Sequence, residues 1–277
     1  MALTTSGGAS ILTPEEVGAL VVQPLMEQSV AAQVSTVIPT TSHDFRVPIV
    51  SDDPAAGWTA EGAEIAASDP TIDETVVTPS KLAGLTVISN ELATDSSPAA
   101  LAVVGDGLVR DLRRKLDAAF FANTTADGPD GLLSLTATEV DAGDTWTNLD
   151  WAESAKSEAE TLHATLTAFV ASPATALTLA TLKEEATSNK ALLSADPTTP
   201  TSRVIAGVPL YVAPDIADGI VWGIPRQHVL MVVRQDASVV TDTSAYFSSD
   251  RVAVRATLRV GFGYTYPAAV IKVNITP

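Results

Sequence analysis

Between residues 97 and 123 the apolar positions step by three and four. Leu101, Val104, Leu108, Leu112, Leu116 and Phe120 fall on one side of a helical wheel, and Arg110, Arg113, Arg114 and Lys115 fall on the other. This is the longest helix the chain predicts. Ser97 followed by Pro98 suits its start, and the TTADGPDG cluster beyond residue 123 is a turn signal that stops it. Gly105 and Gly107 lie inside it at a cost of about 1 kcal/mol each relative to Ala, which points to something approaching the helix closely.

The C-terminal part alternates with period two. HVLMVVRQDASVVTD and DRVAVRATLRVGFGYTYPAAVIKVNI read as strands. In the second, Val252, Val254, Ala256, Leu258 and Val260 form one face, and Arg251, Arg255 and Arg259 lie on the other. Residues 135–225 alternate between helix and strand patterns. DWAESAKSEAETLHATL reads as a helix with Asp150 as its cap, and TAFVAS as a short buried strand. PATALTLATLKEEATSNKALL reads as a second helix, SADPTTPTSR as a loop, and RVIAGVPLYVA as a strand with a Gly-Val-Pro turn inside it. There is no internal repeat.

Residues 1–45 have the character of an arm. TTSGGAS is flexible in composition, and TPEEVGALVVQPLMEQS predicts a short helix. Thr13 is its N-cap, Pro14 its first position, and Glu16 stands at capping-box spacing. Pro24 should kink or end it, and AAQVSTVIP then reads as a strand. From Arg46 to Ser89 the pattern is a long hairpin, with RVPIV and ETVVTPSKLAGLTVIS as its arms and the acidic, small-residue stretch WTAEGAEIAASDP between them. Folded on itself, such a segment reaches up to roughly 70 Å at about 3.3 Å per residue. A globule of this length has a radius of gyration near 19 Å, about a quarter of that. An isolated two-stranded ribbon is marginal in water. The hairpin therefore has to rest on something outside its own globule, for which another subunit is the economical choice, and the same holds for the arm.

Charge sharpens this picture. The 277 residues carry 16 basic and 33 acidic side chains, a formal charge of −17. Residues 1–80 hold 11 acids and a single base, Arg46, whereas the remainder holds 22 acids and 15 bases. Such a chain is repelled by nucleic-acid phosphates and by anionic membranes. The hydrophobic fraction of 46% indicates a folded protein, and the aromatic fraction of 5% leaves its core to Ala, Val, Leu and Ile. Without cysteine there is no disulfide, thiolate metal site or Cys nucleophile. No apolar run spans a membrane and no signal peptide opens the chain.

Candidate chemistry is sparse. His43, His163 and His228 lack metal-ligand spacing. Gly105-Asp106-Gly107 falls in a helix pattern and Gly261-Phe262-Gly263 in a strand pattern, so neither can cradle a phosphate at a strand-to-helix turn. The pairs Asp52–Asp53, Glu61–Glu64 and Glu184–Glu185 are what an acidic composition yields by chance. The chain is therefore not expected to be an enzyme, or to need a cofactor or metal. Two basic clusters remain. Arg110, Arg113, Arg114 and Lys115 read either as a solvated face paired locally to Asp111 and Asp117 or as a docking surface for an acidic strap. Arg251, Arg255 and Arg259, in line on one strand face, repel one another and read as a docking surface for acids held elsewhere in the sequence.

The order of these parts resembles the tailed-bacteriophage major capsid proteins of the Hong Kong 97-like fold. The resemblance rests on Trp58, Glu61 and Gly62; on KLAGLTVISNEL with Ser89, Glu91 and Leu92; and on the long helix ending LDAAFFAN before DGPDGLL. It continues through the helix before the loop, AGVPLYVAP with Gly207 and Pro209, and RATLRVGFGYTYPAAVIKV with Arg259, Gly261 and Pro267. It implies an α+β fold in four parts: an N-terminal arm over 1–45, an extended loop over 46–89, a peripheral domain over 90–134 and 226–267 with its spine helix, and an axial domain over 135–225 and 268–277. It implies a major capsid protein that self-assembles as pentamers and hexamers into the icosahedral head enclosing the double-stranded DNA of a tailed phage, formed in the host cytoplasm and ending in the virion. Its partners would be its own copies, with a portal, a separate scaffolding protein and a decoration protein as further candidates. The inter-subunit contacts would fall on Trp58, Glu61, Glu64, Arg110, Arg113, Arg114, Arg251, Arg255 and Arg259. Two departures follow. The arm starts almost at Met1, leaving no large scaffolding segment, and no Lys lies between Arg46 and Ser80, so a loop-lysine crosslink is not expected. An encapsulin-type compartment shares the fold and stays open as an alternative, as does a monomeric α+β enzyme from a different class.

Overall fold

The computed structural model describes residues 23–52, 56–62, 64, 67, 69, 71–89, 99–185, 188–193, 203–242 and 244–275. The chain opens with helices α1 (Gln23–Gln28) and α2 (Val30–Val34), then strands β1 (Thr36–Thr40), β2 (Phe45–Asp52), β3 (Thr71–Val77) and β4 (Ser80–Ser89). Helix α3 (Ala99–Phe121), β5 (Thr138–Asp141), α4 (Asp150–Thr161), β6 (Ala168–Ala171) and α5 (Pro173–Thr181) follow. Strands β7 (Arg203–Ile205), β8 (Val208–Val212), β9 (Ile220–Ile224), β10 (Val229–Asp242), β11 (Arg251–Tyr264) and β12 (Ile271–Asn274) complete it.

Strands β1, β10, β11 and β4 make a four-stranded sheet in that order, with β1 parallel to β10 and the other pairs antiparallel. Helix α3 covers one face. Its Leu112, Leu116, Phe120 and Phe121 are buried in one core with Ala256, Leu258, Val260 and Phe262 of β11. The ring of Phe120 meets Phe121 and Phe262 edge-on, with centroids 5.0 and 5.1 Å apart, a preferred aromatic geometry. The helical register read from the sequence is thus the buried one from Leu108 onward. Ser97 and Pro98, the side chains of Leu101 and Val104, and the surroundings of Gly105 lie outside the described residues. Gly84 is what admits the helix: a Cβ there would stand 2.5 Å from Leu108 Cδ1. Gly107 does not have the role expected of it, because a Cβ there would meet nothing within 4 Å except Arg110 Nη2, at 3.7 Å.

The N-terminal stretch departs from its sequence reading. Residues 13–22 lie outside the described residues. Pro24 is the second residue of α1, where no intrahelical N–H is lost; the helix expected to end or kink at it lies outside the described residues. AAQV is helical rather than extended, because the Ser29 hydroxyl accepts the amide of Ala32 at 3.2 Å and caps α2. Ala31 and Val34 are then buried in the core under α3, and β1 completes the edge of the sheet. From Ser29 to Thr40 the expected arm rests on its own subunit.

The long hairpin is shorter than its pattern suggested. β2 pairs with β3 alone, in a two-stranded ribbon. The chain then turns at Thr78-Pro79, and β4 leaves the ribbon to pair with β11 from Ser80↔Val260 to Arg251↔Ser89. The apolar side chains of β4 explain the split: Leu82 packs into the core under α3 and Ile88 is buried, which a free ribbon cannot offer. With eight residues in β2 the paired ribbon extends about 26 Å, so the reach estimated from the whole segment does not hold.

The second sheet has six strands in the order β5-β12-β9-β6-β8-β7. All four residues of β6 are buried, and Trp151 of α4 stacks edge-on to Phe169 at 5.4 Å. Asp150 does not cap α4; it is the first helical residue, and its amide donates to Asn148 Oδ1 at 3.2 Å. Helix α5 is capped by Ser172, which accepts the amide of Thr175 at 3.1 Å, but it ends at Thr181. The stretch expected to continue it turns back, with Lys183 bridging to Ala191 and Lys190 paired to Glu184 at 2.7 Å. LKEEATSNK has no apolar stripe to bury, so tertiary packing cannot sustain a helix there. The break between β7 and β8 falls at Ala206-Gly207, with φ of 51° and 80°, rather than at Gly-Val-Pro; two central residues with positive φ are what a tight hairpin turn needs.

Candidate assembly surface

The face of the four-stranded sheet opposite α3 is only partly covered. At one end Val77, the last residue of the ribbon, stands over β11: a Cβ on Gly261 would lie 2.7 Å from Val77 Cγ1, and one on Gly263 2.6 Å from Val77 Cγ2. The two glycines, set aside as a phosphate motif, are the seat of the ribbon's base. Val77, with Pro79 beside it, is buried there. Thr78 Oγ1 donates to Asp44 Oδ1 at 2.8 Å across the root of the ribbon; that bond, then His43, holds the Asp44 carboxyl below its usual range.

Beyond the ribbon's base the same face is basic. Strand register places Arg259 of β11 directly opposite Arg234 of β10 and Lys81 of β4, a row of cations across three strands. Like charges in directly opposed positions are destabilising. Four residues along, Arg255 stands between Val240 and Leu85, and four further on Arg251 opposes Ser89. Arg251 and Arg255 are exposed and Arg259 is half-buried. Asp242 of β10 brings a carboxylate to this part of the face. Its acidity is raised first by the Ser244 hydroxyl at 2.6 Å, then by the Ser244 amide, with Arg255 contributing least. The periodicity of the sequence located Arg251, Arg255 and Arg259; it could not show Arg234 and Lys81 beside them, because register between distant strands is not written in either one.

The second basic cluster lies elsewhere. Arg110, Arg114 and Lys115 are exposed on α3 and Arg113 is half-buried, on the opposite side of the sheet from the β11 stripe. Arg113 Nη1 donates to Gln28 Oε1 at 3.3 Å. Asp117, expected to pair with these cations at the surface, is buried. Its Oδ1 accepts the Ser29 hydroxyl at 2.6 Å and the Ala31 amide at 3.1 Å, binding the start of α2 to α3. The carboxyl of Asp215 is pushed up by burial and then by Asp117, against the smaller pull of Arg114 and Lys115. The signal for Asp117 was its place one turn before Phe121 and beside Leu116, on the flank of the apolar face.

Within the chain Arg255 acts weakly on Asp242, and Arg114 and Lys115 act on Asp215. Arg46, the single base of the first 80 residues, is taken by Glu74 at 2.7 Å across the ribbon. Glu61 and Glu64 are exposed at the tip. Trp58 beside them is at 107% relative exposure, and Ile72 and Val76 on the ribbon are exposed as well. Both ends of the suspected attraction are thus present at the surface.

The family model described as the phage capsid family matches residues 9–275. The chain belongs to the phage capsid family. Its fold is that of solved phage capsids: it matches a Microbacterium phage Oxtober96 chain with a TM-score of 0.74 at 18% identity, over 99% of this chain and 96% of that one. The capsid of the native GTA particle matches with a TM-score of 0.72 at 18% identity, covering 100% and 95%. A Mycobacterium phage Bobi chain gives 0.72 at 17%, again covering 100% and 95%. No curated protein sequence matches at a significant level. The α+β, Hong Kong 97-like architecture expected from the sequence is the one observed, and the protein is a structural component of a phage capsid. No described helix is long and apolar enough to cross a membrane.

Proposed function

We propose that the chain is the shell subunit of a tailed-phage head, assembling as pentamers and hexamers into an icosahedral wall around double-stranded DNA. The observation that carries this reading is the ribbon. It projects apolar side chains into water, and an exposed two-stranded ribbon has no stability of its own, so a further copy of the chain is its natural support. The formal charge of −17 suits a wall that must not adhere to the genome it surrounds.

In this reading β2 and β3 are the core of the extended loop, the four-stranded sheet with α3 is the peripheral domain, and the six-stranded sheet is the axial domain. The residues before α1 form the arm. The acidic tip with Glu61 and Glu64 reaches the basic face of a neighbour, at Arg251, Arg255 and Arg259. Arg110, Arg113 and Arg114 form a second contact on α3. Portal, scaffolding and decoration proteins would meet the assembled wall.

Electron microscopy of the purified chain, alone and in lysates of the producing phage, tests this. Closed shells built of five- and six-fold capsomers, with DNA-filled tailed heads in the lysate, are the expected result. Shells that fill with a host protein instead would favour a compartment, and a chain that stays monomeric under all conditions overturns the reading.

A further inference from the structure

On the basic face, Leu85, Val240, Ala253, Arg255, Asp242 and Tyr246 surround a concavity of about 260 Å³. Pockets for whole ligands run to about 300–1,000 Å³, so this one suits a single large side chain. Its floor is apolar, and Leu85 in it is 58% exposed. We propose that it is the socket for Trp58 of a second copy of the chain. This rests on the shell reading above and names its contact.

Trp58 is the odd one of four tryptophans. Trp146, Trp151 and Trp222 are buried, whereas Trp58 stands fully in water. A tryptophan can bury about 150–250 Å², and leaving that area wet is a cost the fold has avoided at the other three positions. Its own socket is not occupied by it, since full exposure is incompatible with insertion, and the ribbon's base is fixed at the other end of the face by Val77 over Gly261 and Gly263. The occupant therefore comes from another copy.

Charge fixes the choice further. Residues 56–69 contain Glu61, Glu64 and Asp69 and no cation. Glu61 follows Trp58 by three positions and precedes Gly62, whose φ of 82° turns the chain. A tryptophan seated against Leu85 would present its ring to the Arg255 guanidinium, a favourable cation–π arrangement, and bring Glu61 toward the stripe of Arg255 and Arg251. Asp242 is the one opposing group in the concavity, and it is engaged by the Ser244 hydroxyl and amide at 2.6 and 2.7 Å. A second cavity, of about 180 Å³ between Leu116, Ala119, Pro129 and Phe262, is lined by Lys81 and Lys115 and by none of the stripe's arginines.

The full chain is compared as dissociated subunits and as assembled particles. Tryptophan emission and acrylamide quenching are measured for it and for Trp58→Phe. On assembly the wild-type emission should shift to shorter wavelength and its quenching should fall severalfold, while Trp58→Phe shows no change. The chain has no cysteine, so particles of the double variant Trp58→Cys, Leu85→Cys should give a covalent ladder with a short bismaleimide, and each single variant only monomers. Intact particles in which Trp58 stays quenchable, or in which the double variant yields monomers, overturn the socket and leave the shell reading standing. Absence of any particle from the wild-type chain overturns the shell reading itself.

Discussion

Asp117 and Ser29, 88 positions apart, are joined by a 2.6 Å hydrogen bond in the interior. The same carboxylate oxygen accepts the Ala31 amide. One side chain of α3 thereby holds the hydroxyl that caps α2 and the first orphan amide behind it. The bond links the N-terminal stretch to the main core and, with the burial of Ala31 and Val34 and the pairing of β1 with β10, seats residues 29–40 on the subunit.

Asp117→Ala leaves a buried hydroxyl and a buried amide without their acceptor. Hydrogen bonds to charged groups contribute about 1.5–3 kcal/mol each, so a loss of about 2–4 kcal/mol in unfolding free energy is expected. Ser29→Ala should cost about 1–2 kcal/mol, including the lost cap. Urea titration of the two single variants and the double variant gives the coupling; strict additivity of the losses would show that the bond contributes nothing.

Gly261→Ala places a methyl group 2.7 Å from Val77 Cγ1, closer than carbon atoms approach. The expected loss is about 1–3 kcal/mol, as for overpacking elsewhere. Combining it with Val77→Ala should recover part of that loss, because the smaller side chain vacates the space. If the double variant is no more stable than Gly261→Ala alone, the ribbon's base is not seated on Gly261.

The elements that bury their own pattern were legible. Leu112, Leu116 and Phe120 show period 3.6 because one side of α3 faces a sheet, and β11 shows period two because one face of it meets α3. What escaped was pairing. Nothing in SKLAGLTVIS says that it joins β11 rather than prolonging a hairpin with FRVPIVSD, since both partners satisfy the same alternation. Of the suspected contact residues, the sequence placed the β11 arginines on one face. It could not foresee that Arg234 and Lys81 extend the row, or that Asp117 turns inward, because the first depends on strand register and the second on a contact 88 residues away. The short helix at AAQV was missed for a local reason: the cap at Ser29 outweighs the β-branched residues after it.

Boiling particles in detergent should release monomers near 28.7 kDa. The stretch from Arg46 to Ser80 contains no lysine, so the ribbon has no amine to join covalently to a neighbour. A ladder of boiling-resistant oligomers on a gel would contradict this, and Lys81→Arg would then show whether the base of β4 supplies the amine.

The arginine face gives the most demanding expectation. Arg255 is exposed on the basic face between Val240 and Leu85, with Arg251 and Arg259 four residues to either side on β11 and Arg234 and Lys81 opposite Arg259. A single exposed ion pair contributes only about 0–1 kcal/mol, so Arg255→Glu should leave the isolated subunit folded, with an unchanged circular dichroism spectrum; it even relieves repulsion within the face. In a shell the substitution recurs at every copy, and an attraction toward the neighbour's Glu61 and Glu64 becomes a repulsion each time. Particle yield measured by sedimentation should therefore fall by at least tenfold. Glu61→Lys or Glu64→Lys placed in the same chain should restore part of it, because the swapped charges again oppose one another. Wild-type shells should also loosen as salt rises toward 1 M, where the Debye length is only about 3 Å. Arginine at 255 that can be reversed in charge without loss of particles would show that the stripe faces solvent in the assembled wall, and the acidic tip would have to find its support elsewhere.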